Sequence, residues 1–70
     1  MLRNTLRLRR LEQELTQSQL AEMVGVTRQT IAFIEKGEFS PSIVLALKLA
    51  DALNVPVTEL FWLHKEEAKV

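Results

Sequence analysis

Arg28, Gln29 and Thr30 stand at the start of a predicted short helix, and their side chains have the groups that read DNA bases. Arginine can bond bidentately to guanine O6 and N7, and glutamine can bond in the same way to adenine N6 and N7. Threonine can donate, accept or touch a thymine methyl group. Phe33 is apolar on the same free face, and it either contacts a thymine methyl group or packs against Phe39 in the core. The order of these residue types predicts contacts to base edges in a major groove.

Donors that suit phosphate oxygens flank this segment on both sides. Gln17 opens the preceding predicted helix, where its amide and the free backbone N–H groups can hold a phosphate. Lys36, Ser40 and Ser42 follow the second helix and can contact the DNA backbone further along. Gln17 and the two serines also have a purely structural explanation, since Gln17 suits the first turn of any helix and Ser40-Pro41-Ser42 suits any helix start.

Two short helices joined by one tight turn must position these side chains. Thr16 and Gln19 have the spacing of a capping box at the start of helix 2. Gly25 ends that helix, because only glycine adopts the left-handed conformation cheaply. Thr27 is the predicted N-cap of helix 3, which Gly37 closes. The residues expected to face the core are Leu20, Ala21 and Val24 in helix 2 and Ile31 and Ile34 in helix 3.

Three further helices complete the prediction. Helix 1 covers about residues 4–13, and helix 5 is a single turn over about residues 58–61. Helix 4 starts around residues 40–42, ends at Asn54 and is apolar on much of its circumference, so we expect it to be the central helix. No alternating strand is predicted before the C-terminal end, where residues 62–64 can extend as a short strand. The leucines that recur at helical spacing in and around helix 1 are Leu2, Leu6, Leu8, Leu11 and Leu15, and the residues that make helix 4 apolar are Ile43, Ala46, Leu47, Leu49, Ala50 and Leu53.

The composition is typical of one small globular domain. The chain has 70 residues, of which 47% are hydrophobic and none is cysteine. A domain of this size buries only about 60% of its unfolded surface, so dimerisation would stabilise it. The short loops and the scarcity of glycine and proline predict a compact all-α fold of five helices over residues 1–70.

The formal net charge is zero, which argues against nucleic acid, but the charges are unevenly placed. Arginines are concentrated near the N-terminus and glutamates near the C-terminus, so a basic end can face phosphates while an acidic end faces away. Alternatively, the arginines form an ordinary solvated helix face. The residues concerned are Arg3, Arg7, Arg9, Arg10, Glu59, Glu66 and Glu67.

Catalysis and the binding of metals or cofactors are not expected. The chain has one histidine, His64, and it has no cysteine, no tyrosine and no glycine-rich phosphate loop. The sequence shows neither the spacing of a metal site nor a region for a small-molecule effector. No apolar run approaches the roughly 18 residues of a membrane helix, and no signal segment opens the chain, so we expect a cytoplasmic protein.

Residues 15–37 resemble the helix-turn-helix of the Cro/cI-type, or XRE-like, repressor family. The chain matches almost every position of the pattern L-T-Q-x-x-L-A-x-x-V-G-V-x-R-Q-T-I-x-x-I-E-x-G. The similarity continues through Phe39 and helix 4 to Leu60 and Phe61. The resemblance implies a lambda-repressor-like domain of five helices with its helix-turn-helix over residues 16–36. It also implies a transcriptional repressor that binds a double-stranded DNA operator as a homodimer.

The resemblance further implies roles for individual residues. Gln17 matches a phosphate-contacting glutamine, and Gln29 matches a base-reading glutamine. Arg28, Thr30 and Phe33 match neighbouring positions that face the groove.

The resemblance also implies one ion pair, and this chain differs from its relatives at two positions. Arg10 and Glu35 match an ion pair that links helix 1 to helix 3 in relatives and orients helix 3. Relatives usually have glycine where this chain has Glu14, and commonly an apolar residue where it has Arg9. Arg9 adds a further cation that could serve phosphates.

The run Leu60-Phe61-Trp62-Leu63 contains more large apolar side chains than one helix face can bury in so small a domain. We assign these four residues to a dimerisation element at about residues 57–65. Within it, Leu60 and Phe61 also cap the core, whereas Trp62 with Leu63 joins a two-fold interface. The alternative is that Trp62 only covers the segment around Leu2. A symmetric dimer predicts a near-palindromic operator with half-sites about 34 Å apart.

Two other functions remain open at this point. The first is an antitoxin that binds its operator and a toxin, for which the only spare segment is the tail over residues 64–70. The second is a protein-interaction module without DNA binding, which the neutral net charge favours. The polar residues Arg28, Gln29 and Thr30 argue against the second.

Overall fold

Five short helices and two three-residue strands make up the computed structural model, which describes residues 1–64. The elements in chain order are β1 (Leu2–Asn4), α1 (Leu6–Glu12), α2 (Gln17–Val24), α3 (Arg28–Glu35), α4 (Ile43–Leu53), α5 (Val57–Leu60) and β2 (Phe61–Leu63). The predicted five-helix fold is therefore confirmed, with the expected C-terminal strand at β2. Residue 65 of the predicted dimerisation element, the acidic residues Glu66 and Glu67, and residues 65–70 of the tail lie outside the described residues.

The predicted ends of α2 and the start of α3 are confirmed. The Thr16 hydroxyl accepts from the Gln19 backbone N–H at 3.0 Å, and the Gln19 side chain accepts from the Thr16 backbone N–H at 2.8 Å. This reciprocal pair is the capping box. Gly25 has φ 79°, so α2 ends in the left-handed conformation. Thr27 caps α3 through its hydroxyl, which accepts from the Thr30 backbone N–H.

The first helix starts later than predicted, because the residues before it form a strand. β1 pairs antiparallel with β2, in the register Leu2 with Leu63, Arg3 with Trp62 and Asn4 with Phe61. Asn4 joins three elements: its Nδ2 donates to the Ile34 carbonyl at 3.0 Å, and its Oδ1 accepts from the Leu6 backbone N–H at 3.0 Å. β1 therefore connects the start of α1, the end of α3 and the C-terminal strand.

One apolar core lies beneath α2, α3 and α4. Its seven largest fully buried side chains, each less than 2% exposed, come from all five helices. Because α2 and α3 both contribute to this core, packing sets the angle between them. The seven are Leu6, Leu20, Ile31, Ile34, Leu49, Leu53 and Leu60.

Not all of the apolar residues that recur along α1 and α4 are buried. Leu8 and Leu11 are 55% and 47% exposed, because α1 buries Leu6 and Arg10 instead. In α4 the buried residues begin at Ala46, and an apolar stripe on its N-terminal half stays in solvent. The α4 stripe consists of Ile43, Val44 and Leu47, which are 75%, 60% and 51% exposed.

Two non-glycine residues have left-handed backbone conformations at helix ends. Asn54 ends α4 with φ 58°, as predicted for the end of that helix. Glu14 has φ 59° in the corner between α1 and α2. The corner thus keeps a backbone shape that glycine adopts most easily, with a larger residue in place of glycine. None of the helices within the described residues is long and apolar enough to cross a membrane.

Candidate nucleic-acid interface

The first turn of α3 presents polar side chains to solvent. Arg28 and Gln29 are exposed and Thr30 is half-buried, while Ile31 and Ile34 anchor the opposite face of the helix in the core. The fold itself makes no use of the Gln29 side chain in a hydrogen bond among the described residues. A short helix fixed from behind and polar in front can enter a groove that an α-helix fits.

Phe33 lies on the same side of α3 as these polar residues and is 41% exposed. Phe39 is 48% exposed, so neither aromatic belongs to the core. The alternative in which Phe33 packs with Phe39 in the core is therefore wrong. The Phe33 ring therefore lies at the surface beside Gln29 and Thr30.

A nearly buried ion pair holds α3 from behind. The Arg10 Nε donates to Glu35 Oε2 at 2.7 Å, and Arg10 Nη2 donates to Glu35 Oε1 at 3.2 Å. The two side chains are only 8% and 5% exposed. Arg10 Nη1 also donates to the Leu15 carbonyl at 2.8 Å, in the corner before α2. One guanidinium therefore ties α1 to α3 and to the start of the helix-turn-helix.

The same geometry corrects the prediction that Arg10 contacts phosphate. Arg10 is 7% exposed, and all three of its side-chain nitrogens donate inside the protein. Arg9 is also engaged, since it pairs with Glu59 at 3.2 Å and with Glu12 at 3.5 Å. Of the arginines near the N-terminus, only Arg3 and Arg7 are exposed.

Gln17 connects the ion pair to the exposed face of α3. Its Nε2 donates to Glu35 Oε1 at 3.0 Å, and its Oε1 accepts from Arg28 Nη1 at 3.1 Å. The carboxylate determines which end of the amide points inward, because only the NH₂ group can donate to it. One N–H of the Gln17 amide remains for a phosphate, and the Arg28 side chain is held beside it.

The loop between α3 and α4 carries the other predicted phosphate contacts. Lys36 is the exposed C-cap of α3, and Ser40 is exposed on the loop. The Ser42 hydroxyl accepts from the Leu45 backbone N–H at 3.1 Å and so caps α4. That hydroxyl keeps its own hydrogen for donation, so capping and phosphate contact are compatible. No group of acidic, histidine or cysteine side chains in the described part of the chain is arranged to hold a metal ion.

A helix-turn-helix family model matches residues 6–60. The chain belongs to the XRE-type family of helix-turn-helix transcriptional regulators. An HTH-type transcriptional regulator from Methanothermobacter thermautotrophicus is 48% identical over 69 residues, covering 97% of this chain and 100% of that protein. The HTH-type transcriptional regulator YgzD from Bacillus subtilis is 51% identical over 51 residues, covering 73% of this chain and 77% of YgzD.

A phage protein and a solved structure extend these similarities. The CTXphi transcriptional repressor RstR from Vibrio cholerae is 39% identical over 51 residues, 73% of this chain and 46% of RstR. The restriction-modification controller protein C.AhdI from Aeromonas hydrophila superposes with a TM-score of 0.73 at 37% identity, covering 77% of this chain and 82% of C.AhdI. Members of this family are transcriptional regulators and not enzymes, as expected for this chain.

The C-terminal apolar run of this XRE-type regulator divides between core and surface. Leu60 is 0% exposed, so its assignment to a dimer interface is wrong: the side chain is already buried within its own subunit. Phe61 is half-buried and packs against the core. Trp62 and Leu63 are 42% and 71% exposed, and as neighbours in β2 they point to opposite faces of the sheet.

Two features of the regulator's surface were not evident from the sequence. The α4 stripe was hidden by the apolar periodicity of the whole helix, which indicates burial but does not reveal which turn remains uncovered. The hydrogen bond between Gln17 and Arg28 joins two helices, and their separation in sequence gives no signal for it.

Proposed function

We propose that this XRE-type regulator is a repressor that binds double-stranded DNA sequence-specifically, as a homodimer on a near-palindromic operator. The observation that carries the proposal is the first turn of α3. Its side chains Arg28 and Gln29 are exposed and polar on a helix that the buried pair of Arg10 and Glu35 holds in place. The name of RstR as a transcriptional repressor agrees with the direction of regulation.

In this proposal the base contacts come from α3. Gln29 bonds bidentately to adenine, and Arg28 bonds to guanine, because these pairs match the donors and acceptors of the major groove. Thr30 and Phe33 lie beside them and contact a thymine methyl group or a neighbouring base edge. The exposure of Phe33 supports that role, since an apolar side chain in the groove gains by leaving water.

The phosphate contacts come from residues on either side of α3 in the chain. Gln17 donates its remaining amide hydrogen, together with the free backbone N–H groups at the start of α2. Lys36, Ser40 and Ser42 contact the backbone from the loop after α3. These contacts set the position and orientation of α3 but carry no sequence information.

The dimer places two copies of α3 about 34 Å apart on one face of the duplex. We propose that Trp62 of β2 and the α4 stripe lie in the seam, with Leu63 contributing from the opposite face of the sheet. These are large apolar side chains that the described part of the chain leaves in solvent, and such surfaces mark interaction sites. We also expect the protein to act in the cytoplasm, where its operator lies.

The test begins with selection of random duplexes by the purified protein. An enriched near-palindrome is the expected result, whereas no enrichment would count against DNA recognition and favour a protein-interaction module. On the selected operator, Gln29→Ala should weaken binding by about 1–3 kcal/mol and relax the preference at one base pair per half-site.

Gln13→Ala is the matched control for the Gln29 substitution. It removes another exposed glutamine, the C-cap of α1, which lies outside α3, and should leave both affinity and base preference unchanged. Equal operator affinity of Gln29→Ala and the wild type would refute base reading by Gln29.

A further inference from the structure

We propose that the N-terminal strand contacts the DNA backbone, with Arg3 and Lys36 together holding a phosphate at the C-terminal end of α3. This inference rests on the proposed DNA-binding function and adds to it a phosphate contact made by residues of β1. Arg3 has no place in the helix-turn-helix itself, and only the folded chain brings it to α3.

A cleft between β1 and the end of α3 carries the inference. Its volume is about 240 Å³, and residues 1–4 line one side and residues 35–37 the other. Both Arg3 and Lys36 are exposed where they line it. Asn4, the next residue of β1, donates to the Ile34 carbonyl at 3.0 Å, so this hydrogen bond ties β1 to the end of α3.

The charges around the cleft leave it positive. Glu35 is the acid in the lining, but its carboxylate accepts from Arg10 and Gln17 and its charge is therefore compensated. Neither Arg3 nor Lys36 forms an ion pair among the described residues. By contrast, Arg9 and Arg10 pair with glutamates, so their charges are compensated within the protein.

The two ends of α3 offer different kinds of contact. The N-terminal residues of a recognition helix contact base edges, and Arg28 lies at that end beside Gln17. Arg3 and Lys36 line the cleft at the other end of α3, where a phosphate contact does not compete with the base contacts.

The position of Arg3 is also compatible with the proposed dimer. Arg3 pairs across the sheet with Trp62, and direct cross-strand partners share a face of the sheet. If Trp62 lies in the two-fold seam, Arg3 lies at the rim of that seam, where charged side chains are usual.

The test measures operator affinity against salt concentration for the wild type, Arg3→Gln and Lys36→Gln. Each phosphate contact contributes about 0.9 to the slope of log affinity against log salt. The double variant Arg3→Gln, Lys36→Gln loses the whole contact in both subunits and should therefore have a slope shallower by about 1.8, so that between 50 and 200 mM salt it loses about 12-fold less affinity than the wild type. Each single variant should have a slope between those of the wild type and the double variant. The base preference should not change, because a phosphate contact reads no sequence.

Lys48→Gln is the control, since it removes the same charge from the cleft between α2 and α4 that Glu22 and Asp51 also line. Its slope should equal that of the wild type. Arg3→Lys, which keeps the charge on the same strand, should restore the wild-type slope and so separates charge from folding. Equal slopes for Arg3→Gln, Lys48→Gln and the wild type on a specifically bound operator would overturn this inference alone. Failure of the wild type to bind any duplex would overturn the proposed function together with it.

Discussion

Arg10 and Glu35 form an ion pair whose partners depend on each other because both are nearly buried. Arg10→Met alone would leave the carboxylate of Glu35 with Gln17 as its remaining donor. We expect a loss of about 3–5 kcal/mol in the free energy of unfolding, since a one-sided deletion leaves a buried charge uncompensated. Urea denaturation followed by circular dichroism measures it.

The double variant Arg10→Met, Glu35→Leu is the matched control for this loss. It removes both charges and keeps the volume apolar, so it should recover most of the stability. A double variant as unstable as the single one would show that hydrogen bonds to the pair, and not its charge balance, support α3.

Glu14 has a left-handed backbone conformation that should lower the stability of the protein. Its φ of 59° is a conformation that costs a non-glycine residue roughly 1–2 kcal/mol. Glu14→Gly relieves that cost but adds backbone freedom to the unfolded chain, so we expect a net stabilisation of about 0.5–1 kcal/mol. Thermal and urea unfolding measure this difference.

Asn54→Gly provides the comparison, at φ 58° in the same backbone region. Asparagine tolerates this conformation better than glutamate does, so its replacement should stabilise the protein less than Glu14→Gly. An equal or larger gain at Asn54 would contradict the assignment of strain to Glu14.

At the scale of elements, β1 is attached to α3 mainly through Asn4. Asn4→Asp keeps the oxygen that accepts from the Leu6 N–H and loses the donor to the Ile34 carbonyl. Asn4→Ala loses both. We expect a cost of about 1–3 kcal/mol for Asn4→Ala, because the half-buried Ile34 carbonyl and Leu6 N–H lose their partners. Faster amide hydrogen exchange in β1 and at the end of α3 would show that β1 has lost its attachment to α3.

The capped helices show how far elements follow from local sequence. The capping box at Thr16, the left-handed Gly25 and the cap at Thr27 were all predictable, since each depends on residues within one turn. β1 was not predictable in this way. Its three residues are too few for alternation to be visible, and its partner strand lies 61 residues away, from Leu2 to Leu63.

At the scale of the whole molecule, the exposed apolar surfaces predict a dimer. Analytical ultracentrifugation at micromolar concentration should show a species of twice the chain mass of 8.0 kDa. Leu47→Glu and Trp62→Glu should each weaken the dimer by more than tenfold, because burying one such side chain contributes about 1.5–3 kcal/mol in each subunit.

Leu8→Glu is the matched control for these substitutions. Leu8 is 55% exposed on α1, close to the 51% of Leu47, but it lies outside the proposed seam. Its dimer should be as tight as the wild type. A wild type that sediments only as a monomer, or equal weakening by Leu8→Glu, would contradict the seam.

The sequence by itself determined the helix-turn-helix, its caps and the candidate base readers. These depend on spacings of three to four residues and on the order Arg28, Gln29, Thr30, all of which are local. The resemblance to relatives also pointed to the pair of Arg10 and Glu35, which the structure shows as an ion pair at 2.7 Å.

Only the tertiary structure decided which of these groups are available to a partner. Arg10 is buried and is therefore not one of the phosphate contacts that were predicted. Leu60 is buried as well and is therefore not part of the predicted dimer seam. The tertiary structure left Phe33 and the α4 stripe exposed and placed Arg3 and Lys36 on the lining of one cleft. The physical reason is that exposure and hydrogen-bond partners depend on residues distant in the chain, whereas periodicity reports only on neighbours along one helix.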